Sequence, residues 1–361
     1  MKLPEARVFV IAEGGVNHNG STEIGLALID AARAAGADAI KFQTFRADRL
    51  VTGRAPLAAY QRAGASLARD QRDMLTRLEL SEEQHERFRE HCEEVGIELL
   101  STPFDEISLR YLVGLGVPRI KVASGEITNG PLLLQAGRTG KPVILSTGMA
   151  TLGEVEEALA VIAFGRLEAR SWPTPERLRA VQASAAARAA LADGVTLLHC
   201  TTAYPAPWRS VNLRAMDTLR SAFGLPVGYS DHTTGIAVAV AAVARGAVIV
   251  EKHVTLDKQM PGPDHAASIS PAELAELVNA VRAVEEALGS ENKTPQAAEL
   301  ENTAVVRKCL VAARSITAGE LLSEENVVAK RPARGLSPMA MWRLIGRPAR
   351  RSYQLDEPLE E

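Results

Sequence analysis

Short apolar runs alternate with longer amphipathic segments along most of the chain. Eight runs are apolar, often β-branched, and end in polar residues: 8–12, 39–42, 97–100, 119–122, 142–145, 195–198, 226–228 and 248–250. Such runs are typical of strands buried on both faces of a parallel sheet. The segments between them have helical periodicity, as in residues 23–35, 81–95, 152–163 and 236–245. Ser81 and Gln84 match a capping box at the start of one such helix.

Eight strand–helix units in about 260 residues predict a TIM (β/α)8 barrel, an α/β fold. The alternative is an open doubly wound sheet, but the first strand lacks the GxGxxG loop expected there. A helix over residues 273–288 completes the predicted barrel domain, residues 1–289. Polar residues 290–303 are predicted to be a linker, and residues 304–361 a small, mostly β domain.

Composition and charge argue against a protein that binds nucleic acid or a membrane surface, and they do not change the predicted fold. Of 361 residues, 46% are apolar and 24% charged, and 41 basic against 44 acidic residues give a net charge of −3. This balance predicts neither nucleic acid nor a membrane surface as partner. Three scattered cysteines, no signal-peptide pattern at the start and no apolar stretch long enough to span a bilayer predict a cytoplasmic protein.

Lysines and hydroxyls lie at the strand ends, where TIM barrels carry their active sites. Lys41 and Lys121 fall within predicted strands, and a lysine in a low-dielectric interior needs an anionic partner. The nearby hydroxyls are those of Ser101, Thr102, Ser124, Ser146 and Ser230. Two ammonium groups among hydroxyl donors suit a small phosphorylated carboxylate. The alternative is that the lysines pair with Glu13 or Glu251.

Two histidines end neighbouring predicted strands. Adjacent strands lie about 4.8 Å apart, so His232 and His253 can reach one ion. Two imidazoles and water, without cysteine, suit a divalent ion such as Mn²⁺, with simple hydrogen bonding as the alternative. His199 is either a third ligand or a hydrogen-bonding residue at its strand end.

Two carboxylates complete the candidate chemistry. Glu13 ends the first strand and is a candidate general acid or base, or else a partner for Lys41. Asp264 lies in a loop rich in proline and glycine, where it either reaches a sugar hydroxyl or caps a turn.

At these positions the sequence resembles the sialic acid synthase family. The likeness runs from residue 8 to about 350 and includes ARSITAGELLSEENVVAKRP (313–332), which resembles that family's antifreeze-like (SAF) domain. The other matching segments are IAEGGVNHNGS (11–21), IKFQTF (40–45), STPFD (101–105), KVASGEITN (121–129), LSTGM (145–149), LHCTTAYPAP (198–207), GYSDHT (228–233) and EKHVTLDKQMPGPDH (251–265).

The resemblance implies a TIM barrel followed by a SAF domain and a metal-assisted transferase reaction. Members condense phosphoenolpyruvate with an N-acylated mannosamine-type sugar, giving a nonulosonic acid and phosphate, and form domain-swapped homodimers. The implied phosphoenolpyruvate-binding residues are Lys41, Thr102, Lys121, Ser124, Ser146 and Ser230. The implied sugar-binding residues are Gln43, Tyr204, Asp264 and Arg331. Glu13 becomes the acid/base residue, and His232 and His253 the ligands of Mn²⁺, with Mg²⁺ or Co²⁺ as alternatives.

The sugar is first expected to be N-acetylmannosamine, which makes the protein an N-acetylneuraminate synthase. The alternative is a 2,4-diacetamido-trideoxy-mannose, which makes it an N,N'-diacetyllegionaminate synthase. More distant alternatives are a metal-dependent aldolase or isomerase and a binding protein whose SAF domain is the active part. The sequence departs from the family at Gly14, where Ile or Met is usual, and at Ala333, where Gly commonly follows Arg-Pro.

Overall fold

The computed structural model describes residues 7–53, 55–57, 69–168 and 170–360. The chain divides into two compact units between Gly289 and Ser290. The outer ends of the two predicted domains, residues 1 and 361, lie outside the described residues. No helix in the described ranges has both the length and the apolarity needed to cross a membrane.

The first unit is a TIM barrel, as the sequence predicted. Its strands are β1 Phe9–Gly15, β2 Ala39–Thr44, β3 Glu98–Pro103, β4 Ile120–Val122, β5 Val143–Ser146, β6 Val195–Cys200, β7 Val227–Asp231 and β8 Ile249–His253. These parallel strands follow the order β3-β2-β1-β8-β7-β6-β5-β4, and β3 and β4 are also in contact, so the barrel is nearly closed.

Helices surround the barrel and cover the outer faces of its strands. Several begin at a side-chain cap, and the predicted capping box of Ser81 and Gln84 is present. The helices are α1 Thr22–Ala34, α2 Ala47–Leu50, α3 Gln71–Leu78, α4 Glu82–Val95, α5 Glu106–Leu115, α6 Gly130–Arg138, α7 Leu152–Leu167, α8 Pro175–Gln182, α9 Ala185–Ala192, α10 Ala215–Phe223, α11 Ala237–Ala244 and α12 Pro271–Leu288.

One layer of apolar side chains fills the barrel interior. Because strand side chains alternate between faces, the residue two positions further along each strand also faces inward. The apolar layer consists of Ile11, Ala39, Leu100, Ile144, Leu198 and Ile249. Two residues further along the same strands stand Glu13, Lys41, Thr102, Ser146, Cys200 and Glu251. The apolar layer therefore supports a second layer of polar and thiol side chains at the carboxyl ends of the strands.

Most strands continue one to three residues beyond the predicted apolar runs. The first run was predicted to end at residue 12, yet β1 ends at Gly15. The last was predicted to end at residue 250, yet β8 ends at His253. The ladder continues because it needs only backbone groups, and the polar side chains face the open mouth of the barrel.

The second unit is a small domain built around an antiparallel pair of strands. β9 (Cys309–Ala312) pairs with β10 (Val327–Lys330), and short bridges add further pairing. Its core includes Leu310, Ile316 and Tyr353. Helix α13 (Ala297–Val306) occupies part of the predicted linker 290–303, and α14 (Met341–Leu344) lies near the end of the chain.

Candidate active site at the mouth of the barrel

A cavity of about 380 Å³ opens at the carboxyl ends of the barrel strands. Its described lining includes twelve of the thirteen site residues that the family resemblance implies: Glu13, Lys41, Gln43, Thr102, Lys121, Ser124, Ser146, Tyr204, Ser230, His232, His253 and Asp264. The strand ends therefore bring together side chains that are up to about two hundred and fifty residues apart in sequence, as the topology of a barrel requires.

Both lysines are buried and bound to neighbouring side chains. Lys41 Nζ forms an ion pair with Glu13 and lies 3.0 Å from Thr102 Oγ1 and 3.6 Å from Glu251 Oε2. Lys121 Nζ donates to Ser146 Oγ at 2.7 Å and lies 3.5 Å from Glu251 Oε1. In this structure the two lysines therefore pair with Glu13 and Glu251, which is the alternative that the sequence left open.

Glu251, which the sequence offered only as an alternative partner of the lysines and not as a site residue, lies between Lys41 and Lys121. It accepts a hydrogen bond of 2.8 Å from Ser230 Oγ. Burial by itself raises the pKa of Glu251, but the positive charges of Lys121 and Lys41 outweigh burial and lower the pKa to about 2. For Glu13 burial has the larger effect and raises its pKa to about 7, against the opposing charge of Lys41. The signal for Glu251 was its position, two residues beyond inward-facing Ile249.

Ser124 sits in a tightly packed corner of the cavity. Its Oγ accepts from the backbone N–H of Gly148 at 3.0 Å and lies 3.1 Å from Cys200 Sγ. A Cβ at residue 148 would stand 2.4 Å from Thr202 Oγ1 and 2.8 Å from Ser124 Oγ. Only glycine allows this close approach.

One predicted hydroxyl does not face the cavity. Ser101 Oγ lies 2.6 Å from Thr44 Oγ1 on the outer side of the strands, and Thr44 in turn contacts His85 Nε2 at 2.8 Å. Grouping Ser101 with Thr102 was therefore wrong, because consecutive residues of a strand point to opposite faces.

The two predicted metal ligands lie side by side. The ring centroids of His232 and His253 are 5.5 Å apart, and the Tyr204 ring lies 4.3 Å from that of His232. His232 Nδ1 donates to the Thr201 carbonyl at 2.8 Å, which leaves Nε2 with a lone pair for a ligand bond.

His253 also has a ring nitrogen that is free to bind a ligand. Its Nδ1 is buried without a hydrogen-bond partner among the described residues and stands 3.9 Å from Asp264 Oδ2. Burial lowers the pKa of both imidazoles and keeps them neutral, the form that binds metals. The pair fits a divalent ion completed by water, although no cluster of three or more ligating side chains occurs in the described chain.

His199 does not join this pair. Its Nε2 donates to the Val211 carbonyl at 2.6 Å, and its side chain lines a neighbouring cavity. The structure therefore matches the alternative of a hydrogen-bonding residue at the strand end.

A buried ion pair connects the strands that carry the histidines. Lys252 Nζ lies 2.7 Å from Asp231 Oδ2, and both side chains are fully buried. Asp231 also accepts from Tyr229 Oη and from the Thr233 backbone. The residues before each histidine are thereby fixed to one another, which holds the two imidazoles in place.

Two predicted sugar-binding residues of the barrel, Gln43 and Asp264, approach Gly15 together with Glu13. A Cβ there would stand 3.3 Å from Glu13 Oε1 and 3.5 Å from both Asp264 Oδ2 and Gln43 Nε2, and the residue's φ is +50°. Glycine therefore leaves room where three polar groups converge. Burial raises the pKa of Asp264 to about 6.

Arg331 follows β10 in the second unit and is exposed. Ala333, two residues on, is not among the described residues with positive φ, so this position does not need glycine. Its N–H donates to the Ala304 carbonyl at 3.1 Å.

Sequence reasoning also missed an apolar side of the cavity. We call it the apolar wall, and it consists of Val16, Leu50, Val51, Met74, Leu75 and Leu78. In the sequence these residues resemble ordinary core positions, and no motif marks them as facing a cavity. Glu126 was missed as well; it lines the cavity, and burial raises its pKa.

The fold and this cavity define a TIM-barrel enzyme with its site at the strand ends. Residues 28–293 match the NeuB family, and residues 307–360 match the SAF domain. The chain belongs to the NeuB family, so the predictions of the family, of the fold class and of an enzyme are confirmed.

Its relatives are similar over nearly their whole length. The N,N'-diacetyllegionaminic acid synthase of Campylobacter jejuni is 43% identical over 98% of this chain and 99% of its own. The N-acetylneuraminate-9-phosphate synthase of Homo sapiens is 33% identical over 98% of this chain and 91% of its own. The crystal structure of the N-acetylneuraminic acid synthetase of Leptospira borgpetersenii, solved with citrate, matches with 32% identity and a TM-score of 0.67. The match covers 84% of this chain and 94% of the Leptospira chain.

Proposed function

We propose that the protein condenses phosphoenolpyruvate with a 2,4-diacetamido-trideoxy-mannose, giving N,N'-diacetyllegionaminate and phosphate. The sequence alone favoured N-acetylmannosamine as the sugar. The relatives support the alternative, since identity to a diacetyllegionaminic acid synthase is 43%, against 33% for the human enzyme.

The observation that carries the proposal is the shared cavity of the lysine pair and the histidine pair. Lys41 and Lys121 supply fixed positive charge, and Thr102 and Ser146 add hydroxyl donors beside them. A phosphorylated carboxylate would compete with Glu13 and Glu251 for these ammonium groups. His232 and His253 stand in the same cavity, so the two substrates can meet there.

The proposed reaction forms a carbon–carbon bond and a carbon–oxygen bond to water, and it breaks the carbon–oxygen bond that joins the former enol carbon to phosphate. The methylene carbon of phosphoenolpyruvate attacks the aldehyde carbon of the open-chain sugar, and water adds to the former enol carbon. Glu13 takes a proton from that water and returns one to the new alkoxide of the sugar, and the tetrahedral intermediate collapses to the ketone as phosphate leaves. Lys41 and Lys121 hold the phosphate and stabilise its charge as it leaves. His232 and His253 would hold a divalent ion, proposed to be Mn²⁺, which supplies Lewis-acid polarisation of the aldehyde when bound.

Phosphate release tests this function. Purified protein, stripped of metal, is incubated with phosphoenolpyruvate with and without Mn²⁺, and with N-acetylmannosamine or the diacetamido sugar. We expect release that needs both Mn²⁺ and the diacetamido sugar. Release with N-acetylmannosamine alone would return the sugar assignment to N-acetylneuraminate synthesis. Folded, metal-loaded protein that releases no phosphate with either sugar would favour an aldolase or isomerase instead.

We also propose a homodimer in which the SAF domain of one protomer supplies Arg331 to the site of the other. The support is the family resemblance together with the position of Arg331 outside the barrel unit.

A further inference from the structure

We propose that the apolar wall selects the sugar by contacting the C6 methyl and the 4-acetamido methyl of a 6-deoxy substrate. This inference rests on the proposed function and deepens it. It assigns the choice between sugars to the helix α3 side of the cavity, away from the strand-end residues that hold phosphoenolpyruvate.

Half of the apolar wall belongs to one face of α3. Met74 and Leu78 are four residues apart, and Leu75 and Leu78 are three apart, so their side chains lie together on the helix. Met74 is 5% exposed, Leu75 is 8% exposed and Leu78 is 7% exposed. Asp70 caps the helix by accepting from the Asp73 backbone at 2.8 Å.

The wall is packed from behind and is therefore preformed. Phe45 and Ala47, 4% and 1% exposed, belong to the same apolar cluster as Val16 and the α3 residues. Leu50 and Val51 pack against that cluster from the segment that follows β2. A side chain held on several sides in this way loses little conformational entropy when a ligand binds.

The two sides of the cavity differ in chemistry. The carboxylate and ammonium side chains of the lining come from β1, β2, β4, the segment after β4, β8 and the loop after β8: Glu13, Lys41, Lys121, Glu126, Glu251 and Asp264. Between residues 45 and 104, the described lining has no ionisable side chain, and its polar members are Gln71 and Thr102. A substrate that fills the cavity therefore needs one highly polar end and one partly apolar end.

In the proposed orientation, the two candidate sugars differ at the end that faces the apolar wall. N-acetylmannosamine would place hydroxyls at C4 and C6 against side chains that offer no hydrogen bond. The diacetamido sugar replaces the C6 hydroxyl by hydrogen and adds an acetamido methyl at C4. A single methyl group in a hydrophobic pocket is worth roughly 10- to 200-fold in kcat/KM. We therefore expect the wild type to prefer the diacetamido sugar by about 10- to 100-fold.

Substitutions that make the wall polar without changing its size test the assignment. The variants are Met74→Gln and Leu78→Asn, and the matched control is Met149→Gln, at a residue that lines the same cavity from beyond β5 and is 71% exposed. Phosphate release is measured with N-acetylmannosamine, its 6-deoxy derivative and the diacetamido sugar. We expect each wall variant to reduce the preference for the two 6-deoxy sugars by about 10-fold, with the KM for phosphoenolpyruvate unchanged and the control keeping the wild-type preference.

The outcomes separate the two proposals. A wild type that prefers N-acetylmannosamine overturns the proposed function and, with it, the inference about the wall. A wild type that prefers the diacetamido sugar, together with folded wall variants that keep this preference, overturns the wall alone. Two variants are used because Leu78→Asn alters a packed cluster, and thermal melting identifies any variant that fails to fold. A general folding defect lowers the activity with all three sugars and leaves their ratio unchanged.

Discussion

His18 lies fully buried beside the barrel mouth and is a source of acid sensitivity. Its Nδ1 accepts from the Gly20 backbone at 2.9 Å, and its Nε2 has no hydrogen-bond partner among the described residues. Burial, with smaller contributions from His85 and His265, lowers its pKa to about 4. The folded protein therefore keeps this imidazole neutral at a pH where an unfolded chain would protonate it.

The sign of the effect follows from proton uptake. Below about pH 6.5 the histidine is protonated in the unfolded state, whereas in the folded state it stays neutral down to about pH 4. The free energy of unfolding therefore decreases as the pH falls from about 6.5 to about 4. We expect His18 to account for a loss of about 3 kcal/mol by pH 4. His18→Asn keeps an acceptor for Gly20 N–H and should flatten the pH dependence of the unfolding free energy in urea. Parallel curves for variant and wild type would contradict this assignment.

At the level of single residues, the sequence predicted which side chains meet, and it left open whether the two lysines pair with carboxylates. Alternation along a strand fixes which residues face inward, so Glu13, Lys41 and Thr102 could be placed, and the same rule should have excluded Ser101. The central position of Glu251 depends on the register between β7 and β8, which one sequence does not specify. The apolar wall depends on a tertiary contact, since Met74 has the same pattern as any buried helix residue.

Helices α6 and α7 pack with their backbones in direct contact. A Cβ at Gly137 would stand 2.3 Å from the Ile162 carbonyl oxygen, and one at Gly165 would stand 2.6 Å from that of Leu134. Gly137→Ala should therefore destabilise the protein by about 1–3 kcal/mol, because the helices must move apart. Denaturant midpoints measure the change.

Gly153→Ala is the matched control for that substitution. It lies near the start of α7, where an added Cβ would meet only Thr151 Oγ1, at 3.9 Å. Replacing glycine by alanine in an open helical position stabilises by about 0.5–1 kcal/mol. Equal effects of the two substitutions would show that helix propensity, and not the contact between the helices, determines the result.

Element positions were predictable where patterns are periodic. The start of α4 followed from its capping box, and the core of every barrel strand from its apolar run. Strand ends were not predictable, because inward-facing polar residues such as Glu13 and His253, which line the cavity, break the apolar pattern there. The helix Ala297–Val306 was missed since none of its residues is buried, so no apolar face marks it.

At the scale of the whole molecule, the two units of one chain raise the question of which protomer completes each site. We expect Glu13→Gln and Arg331→Ala each to lose most of the turnover, the first through the barrel and the second through the SAF domain. Gln has nearly the shape of Glu, and Arg331 is exposed, so both variants should fold. Their mixture distinguishes a site within one chain from a site shared between chains.

If Arg331 acts on the partner's barrel, a mixed dimer contains one site with both an intact barrel and an intact SAF domain. By the symmetry of a two-fold dimer, random pairing of equal amounts then restores about a quarter of the wild-type sites in the whole mixture, and about half of them once the mixed dimer is purified. If Arg331 acts within its own chain, every site of the mixed dimer keeps one defect, and mixing restores nothing. Co-expression with two different tags, purification over both and the phosphate-release assay would measure the recovery. Recovery near zero in a verified mixed dimer would exclude the domain-swapped arrangement, because that arrangement must give each mixed dimer one site with an intact barrel and an intact SAF domain.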